Sequence, residues 1–222
     1  MDHVVSGVAK FRRSIFPQHR ELFAELANGQ RPEALFITCA DSRIDPNLVT
    51  QTRPGDLFII RNAGNIVPPH TRQAGGVTAT IEYGVAVLNV GHIVVCGHTH
   101  CGAMGGALDP ESVAELPHVR EWLLHARAAV EIVKERHGCV CPEHIREVIE
   151  QNVLVQLQHL RTHPVVAARL AAGRLELHGW VYEIETGDVY CHDESTGTFL
   201  PIADRYDTLV ADASAPTAAG QD

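Results

Sequence analysis

The spacing of apolar and polar positions along the chain predicts a mostly parallel sheet with helices between its strands. Three apolar runs of strand length lie at residues 34–38, 57–60 and 93–96, and each gives way to a polar or glycine-containing segment. A fourth, loosely alternating run at 175–184 leads through a Thr-Gly-Asp turn into a return strand at 189–191. Because strands alternate with helical segments, we expect an α/β fold with a mostly parallel central β-sheet flanked by helices.

Helical periodicity dominates the N-terminal segment and the chain between the predicted strands. In residues 2–28, Val4, Val8, Phe11 and Ile15 recur at helical spacing, which predicts a helical arm with an apolar stripe. This arm is expected to pack on its own domain or on a partner subunit. A further helix is predicted to begin at Asp45-Pro46, an N-cap followed by a helix-starting proline. The other predicted helices cover residues 75–90, 118–136, 142–160 and 164–173.

Length and composition favour one globular domain. The chain has 222 residues, of which 45% are hydrophobic, and this is enough for one sizeable core. We expect a single domain over residues 1–210, of which 1–30 form the helical arm. Residues 211–222 are rich in Ala, Ser, Pro and Gly and are expected to form a disordered tail.

Charge and cysteine usage exclude several classes of partner. The formal net charge is −9, which argues against nucleic-acid binding because phosphate neutralisation needs a basic face. There is no run of about 18 apolar residues and no signal-peptide pattern, so we expect no membrane partner and a cytoplasmic location. In a reducing compartment the six cysteines are expected to be metal ligands or small core residues rather than disulfides.

Metal-ligand residue types follow two of the predicted strands. Cys39 and Asp41 come directly after the first strand, and His98 and Cys101 follow the third. The carboxyl ends of neighbouring parallel strands meet at one edge of a sheet, so these side chains converge if the two strands are neighbours. Two thiolates and one imidazole suit zinc, and a water in the fourth position would have its pKa lowered to about 7. The pattern therefore predicts a catalytic zinc site.

Two roles are open to Asp41. Its carboxylate could ligate zinc and close the site, or it could pair with Arg43 and accept a hydrogen bond from zinc-bound hydroxide. Each motif alone is also typical of a buried core pair or a surface ion pair, and only their joint occurrence favours zinc. Among the other cysteines, we expect Cys96 and Cys191 in the core and a structural role for Cys139 and Cys141.

These motifs resemble those of the β-class carbonic anhydrases. The stretch Cys39-Ala40-Asp41-Ser42-Arg43 is similar to the first zinc motif of that family, and His98-Thr99-His100-Cys101-Gly102 is similar to the second. Residues 53–65, 81–84 and 177–182 also match stretches of the family, and the resemblance covers about residues 1–200. The two motifs together are highly specific, whereas neither would be specific alone.

The resemblance implies reversible hydration of CO2 to bicarbonate and a proton by zinc-hydroxide attack. It implies one Zn²⁺ per subunit, with the catalytic dyad Asp41 and Arg43 beside it and with Asp41 on the metal in a closed state. The zinc ligands would be Cys39, His98 and Cys101. The active unit would be a homodimer or a larger homo-oligomer. The substrate pocket would be lined by Gln30, Phe58, Ala63, Tyr83 and the backbone of Gly102, some of them from the neighbouring subunit.

The resemblance also bears on regulation, location and alternative activities. Members with an inhibitory bicarbonate site carry a Trp where this chain has Phe36, and Gln30 matches the unregulated plant-type subtype, so no such site is expected. Residues 42–69 are similar to carboxysomal members, but the short C-terminus does not support a carboxysome location. The alternatives are a carbonyl sulfide or carbon disulfide hydrolase on the same fold and a catalytically silent zinc-fold assembly component. The intact pocket residues and dyad favour CO2 hydration.

Overall fold

A computed structural model describes residues 1–139 and 141–207, which contain one six-stranded sheet. The strands are β1 (Ala34–Cys39), β2 (Leu57–Asn62), β3 (His92–His98), β4 (Glu176–Tyr182), β5 (Val189–Asp193) and β6 (Thr198–Pro201). Their order is β2-β1-β3-β4-β5-β6. Strands β2, β1, β3 and β4 pair in parallel with their neighbours, whereas β5 pairs antiparallel with both β4 and β6. The predicted α/β class with a mostly parallel sheet is confirmed.

Helices precede, connect and flank the strands. They are α1 (Asp2–Lys10), α2 (Arg20–Leu26), α3 (Pro46–Thr50), α4 (Gly76–Ala86), α5 (Gly102–Leu108), α6 (Pro117–Leu123), α7 (Arg127–His137), α8 (Ile145–Arg161), α9 (Pro164–Ala171) and α10 (Ile202–Arg205). Helix α3 begins as the sequence predicts, because the Asp45 carboxylate accepts a hydrogen bond from the amide of Leu48 at 3.2 Å.

The two central strands are buried on both faces of the sheet. Every residue of β1 is buried, and β3 is buried from Ile93 to His98. Leu35 belongs to the larger apolar cluster, which includes side chains of α8, whereas Phe36 belongs to a smaller cluster on the opposite face. Burial on both faces is characteristic of parallel strands and explains why their sequences are continuous apolar runs.

Two glycines let α8 approach the sheet closely beside the ends of β3 and β4. A Cβ atom at Gly179 would lie 2.9 Å from Cγ1 of Val153, and one at Gly97 would lie 3.1 Å from Cγ2 of Val153. Carbon atoms in contact lie about 3.5–4.0 Å apart, so a side chain at either position would displace α8. The close packing places α8 directly behind the strand end that carries His98.

The N-terminal arm is helical, as the sequence predicts, but its middle is irregular. Phe11–Ile15 forms a π-helix and Phe16–His19 a 3-10 helix between α1 and α2. Pro17 accounts for the irregularity because its ring removes an N–H group and clashes with the preceding turn of an α-helix. No residue of α1 is buried, and Val8 in its apolar stripe is 64% exposed. Phe11 contacts the rings of Phe16 and Phe23, whereas Val4 and Val8 are left largely uncovered by the described part of the chain.

Helices α5 and α10 and strand β6 lie in segments for which the apolar pattern predicted no element. Residues 102–108 form α5, residues 198–201 form the edge strand β6, and residues 202–205 form α10. The predicted helix over 118–136 is interrupted by a 3-10 turn at Leu124–Ala126. The predicted tail at 211–222 lies outside the described residues. None of the described helices is both long enough and apolar enough to cross a bilayer.

Candidate metal centre

Parallel pairing brings the ends of β1 and β3 side by side. Thr38 of β1 pairs with Cys96 of β3, and its hydroxyl donates to the Cys96 carbonyl at 2.8 Å. Strand β1 then ends at Cys39 and β3 at His98, while α5 begins directly after Cys101. The two strands are thus neighbours, and both motifs lie at the same edge of the sheet.

Cys39, His98 and Cys101 form a buried cluster. Their sulfur and imidazole nitrogen atoms lie within 4.8 Å of one another, and the two sulfurs are 3.9 Å apart. The Nδ1 of His98 donates to the Thr99 carbonyl at 2.8 Å, whereas its buried Nε2 has no hydrogen-bond partner among the described residues. An imidazole fixed in one tautomer, with its second nitrogen free, is in the form that binds zinc. The donor set therefore fits Zn²⁺.

The contact between the two sulfurs polarises the cysteine pair. This contact lowers the pKa of Cys39 to about 4. The Gly64 amide, 3.4 Å from the Cys39 sulfur, lowers the pKa further, whereas burial acts in the opposite direction. The same contact, together with burial, raises the pKa of Cys101, while the amides of Met104 and Ala103 act in the opposite direction. A thiolate is thus available at Cys39 at neutral pH, and a bound divalent cation would favour deprotonation of Cys101 as well.

Asp41 and Arg43 form a bidentate pair at the edge of the cluster. Arg43 Nε donates to Asp41 Oδ1 at 2.9 Å, and a terminal nitrogen donates to Oδ2 at 2.7 Å. The Arg43 side chain, aided by its backbone amide, holds the pKa of the Asp41 carboxyl well below its usual range. Asp41 Oδ2 lies 3.8 Å from His98 Nε2. Of the two arrangements open to Asp41, the structure has the one in which it pairs with Arg43.

Arg61 holds the loop that carries the first motif, and the sequence pattern did not single it out. Its Nε donates to the Cys39 carbonyl at 3.0 Å. A terminal nitrogen donates to the carbonyls of Asp41 at 2.6 Å and Ile44 at 2.8 Å. Three carbonyls on one rigid guanidinium give the loop a fixed shape. The signal available in the sequence was a cation placed directly after a buried strand.

The second motif is held by hydrogen bonds to its backbone and to its side chains. Arg43 donates to the His100 carbonyl at 3.0 Å and so connects the two motifs. His100, which was not predicted to be a ligand, has a left-handed backbone with a φ of 54°. Its ring contacts the Glu185 carboxylate. The Thr99 hydroxyl donates to the second Glu185 oxygen at 3.1 Å. Glu185, which follows β4, is therefore a further support of the site that the sequence pattern did not indicate.

Two of the five predicted pocket residues adjoin the cluster. Ala63 precedes Gly64, whose amide contacts the Cys39 sulfur. Gly102 follows Cys101 and is the first residue of α5. Both residues are exposed, so the cluster can be approached from this side.

Two of the other three predicted pocket residues, Phe58 and Tyr83, lie away from the cluster of their own chain. Phe58 pairs with Leu35, which lies about 13 Å before Cys39 along β1 at the usual rise of a strand. The ring of Tyr83 contacts that of Phe58, with 6.0 Å between centroids. Gln30 is exposed in the segment between the arm and β1. The pocket predicted for the cluster is therefore incomplete within one chain.

Comparisons with known proteins identify the family. The family model described as carbonic anhydrase matches residues 34–189. A carbonic anhydrase from Synechococcus elongatus is 48% identical over 191 residues, which cover 85% of this chain and 70% of the relative. One from Pseudomonas aeruginosa is 47% identical over 204 residues, covering 92% and 93%. The solved structure of the β-carbonic anhydrase CcaA has a TM-score of 0.87 at 45% identity, covering 90% of this chain and 98% of that one. The chain belongs to the β-class carbonic anhydrase family.

More distant β-class carbonic anhydrases share the fold. One of two tetrameric enzymes from the ascomycete Sordaria macrospora has a TM-score of 0.74 at 32% identity, covering 86% of this chain and 95% of that one. The Coccomyxa enzyme in complex with acetazolamide has a TM-score of 0.75 at 28% identity, covering 96% and 97%. The family resemblance drawn from the two motifs is confirmed.

Proposed function

We propose that the protein catalyses the reversible hydration of CO2 at one Zn²⁺ per subunit, held by Cys39, His98 and Cys101. The observation that carries this proposal is the buried donor set, with its free His98 Nε2, beside the ionised Asp41. Membership of the carbonic anhydrase family supports the same reaction. The chemistry that Zn²⁺ would supply when held by these three residues is a coordinated water with a pKa of about 7, and hence a hydroxide nucleophile at neutral pH.

Residues of the chain orient the reactants around that chemistry. Asp41 accepts a hydrogen bond from the nucleophile and directs its lone pair toward CO2, and the bidentate bonds from Arg43 keep the carboxylate from rotating. Because its pKa is low, Asp41 stays ionised and does not retain the proton that the reaction releases. Gly102 opens α5, where a first-turn amide has no intrahelical acceptor, so its N–H can bind an oxygen of CO2 or bicarbonate.

A stopped-flow assay of CO2 hydration by the zinc-loaded protein tests this proposal directly. We expect hydration well above the uncatalysed rate, because the donor set and the dyad are both present. A parallel assay with carbonyl sulfide and carbon disulfide distinguishes the hydrolase alternative. Zinc-loaded protein that does not accelerate CO2 hydration would eliminate the proposal.

We further propose that the active unit is a homodimer or a larger homo-oligomer. Phe58 and Tyr83 lie away from the cluster of their own chain, so a neighbouring chain is the source that could complete the pocket. The part of the apolar stripe that lies in α1 is uncovered, with Val4 59% and Val8 64% exposed, and a second chain would bury it. The Sordaria macrospora relatives, described as tetrameric, are consistent with this assembly.

The arm gives a direct test of the assembly. Val8→Asp places a charge in the apolar stripe and is expected to shift the protein toward smaller species in light scattering coupled to size exclusion, because a carboxylate is costly to bury. Ser6→Asp adds the same charge about 200° around the helix and should leave the mass unchanged. An unchanged mass for Val8→Asp would rule out a role for this stripe in assembly.

We propose a reducing compartment, such as the cytoplasm, for the active protein. All six cysteines are free, and the Cys39 and Cys101 sulfurs are only 3.9 Å apart. Oxidation of this pair to a disulfide would remove two metal ligands at once, since thiolates are the form that binds zinc. A reducing environment therefore protects the site.

A further inference from the structure

A second cluster of metal-ligand residue types lies at the opposite end of the central strands. His92 of β3 is directly opposite Glu176 of β4 in the sheet register, and His178 follows two positions later, opposite Val94. Side chains alternate between the faces of a sheet, so these three ligand types share one face. None of them takes part in the zinc site proposed above.

The three donor atoms lie close enough together to share one metal ion. His92 Nδ1 lies 3.1 Å from His178 Nε2, and each nitrogen lies 3.8 Å from Glu176 Oε2. The centre of a triangle with these sides is about 2.1 Å from every corner, which is the bond length from zinc to imidazole nitrogen or carboxylate oxygen.

The surroundings of this cluster also suit a metal ion. The side chains of His92 and Glu176 are 40% and 71% exposed, so an ion can enter from solvent. Both histidines line a cavity of about 270 Å³, which has room for a water as the fourth ligand.

We propose that His92, Glu176 and His178 form a second site for a divalent transition-metal ion such as Zn²⁺. Two imidazoles, one carboxylate and an open position are a donor set that zinc accepts. The site is separate from the first, because His92 and His98 stand at opposite ends of β3, about 20 Å apart along the strand. An ion bound here would join the starts of two adjacent central strands.

Titration of Zn²⁺ into the full-length protein already loaded with one equivalent tests the proposal. Calorimetry is expected to show one further equivalent per chain, and metal analysis two in total. Glu176→Gln and His178→Gln should each weaken binding of the added zinc by about 10-fold or more, since the first replaces a charged oxygen ligand by a neutral one and the second removes an imidazole. The Glu176 side chain is 71% exposed, so Glu176→Gln leaves the fold intact, which circular dichroism checks.

His118→Gln is the control for loss of an arbitrary exposed histidine, since His118 lies in α6, outside the cluster. It should bind the added zinc as the parent does. A parent protein that takes up no zinc beyond the first equivalent would overturn the proposal. So would Glu176→Gln and His178→Gln variants that bind the added zinc as tightly as the parent.

Discussion

Replacing Cys101 with alanine is expected to abolish both zinc binding and CO2 hydration. A catalytic zinc is usually held by three protein ligands, and Cys101→Ala leaves only Cys39 and His98. Zinc counted by mass spectrometry, after dialysis against a chelator that removes weakly held metal, should fall from about one equivalent to almost none. Activity should fall to the uncatalysed rate, because the remaining residues orient a nucleophile but do not generate one.

Cys96→Ala is the matched control for this variant. Cys96 is also a fully buried cysteine near the end of β3, but it belongs to the apolar cluster on the other face of the sheet. Burial raises its pKa to about 12, so it is a thiol at neutral pH rather than a ligand. We expect Cys96→Ala to keep its zinc and activity. If Cys101→Ala retained a full equivalent of zinc, the assignment of the ligand set would be wrong.

The meeting of the two metal motifs could be predicted on one condition, that β1 and β3 are neighbours in the sheet, and the structure meets that condition. Cys39 and His98 each end a buried apolar run, and parallel neighbours place such ends together. What the pattern could not supply is the support around them. Arg61 and Glu185 reach the motifs through hydrogen bonds to the backbone and to side chains, and such contacts leave no periodic signal in the sequence.

Helix α5 shows why the Gly-rich segment after Cys101 was not predicted to be helical. Glycine disfavours helices, so propensity alone indicates a turn. Packing requires one of its glycines: a Cβ at Gly106 would lie 2.9 Å from Cγ1 of Val113 and 3.2 Å from Cδ1 of Leu123, whereas a Cβ at Gly102 or Gly105 would meet no atom within 4 Å. Tertiary contact with the neighbouring segments thus outweighs the low propensity. Strand β6 was missed for a simpler reason, since it is four residues long, ends in Pro201 and lies at the sheet edge.

The pocket could be predicted only by family resemblance, and one chain does not complete it. Phe58 sits near the start of β2 and Cys39 at the end of β1, so no local reasoning about one sheet would join them. The exposed stripe of the arm points to the same conclusion from a different part of the chain. Features that depend on a second subunit leave only indirect signals in a single sequence.

Replacing Asp41 with asparagine is expected to lower kcat for CO2 hydration by about 10- to 100-fold while zinc stays bound, which is the usual effect of removing a residue that orients a metal ligand. Asparagine has nearly the same shape, but it lacks the charge that Arg43 stabilises at 2.7 Å, and its NH2 group cannot accept a hydrogen bond. Stopped-flow kinetics and zinc analysis on the same sample separate loss of orientation from loss of metal.

Asp56→Asn provides the control, because the Asp56 carboxylate also accepts a hydrogen bond from an arginine backbone amide, that of Arg53, at 2.7 Å. Asp56 lies in the turn before β2, away from the cluster. The variant should keep parental activity. If Asp41→Asn were fully active, the dyad would have no role in orienting the nucleophile. If it lost zinc instead, Asp41 would be a ligand in solution. The expected combination of retained zinc and reduced kcat is specific to a carboxylate that acts beside the metal.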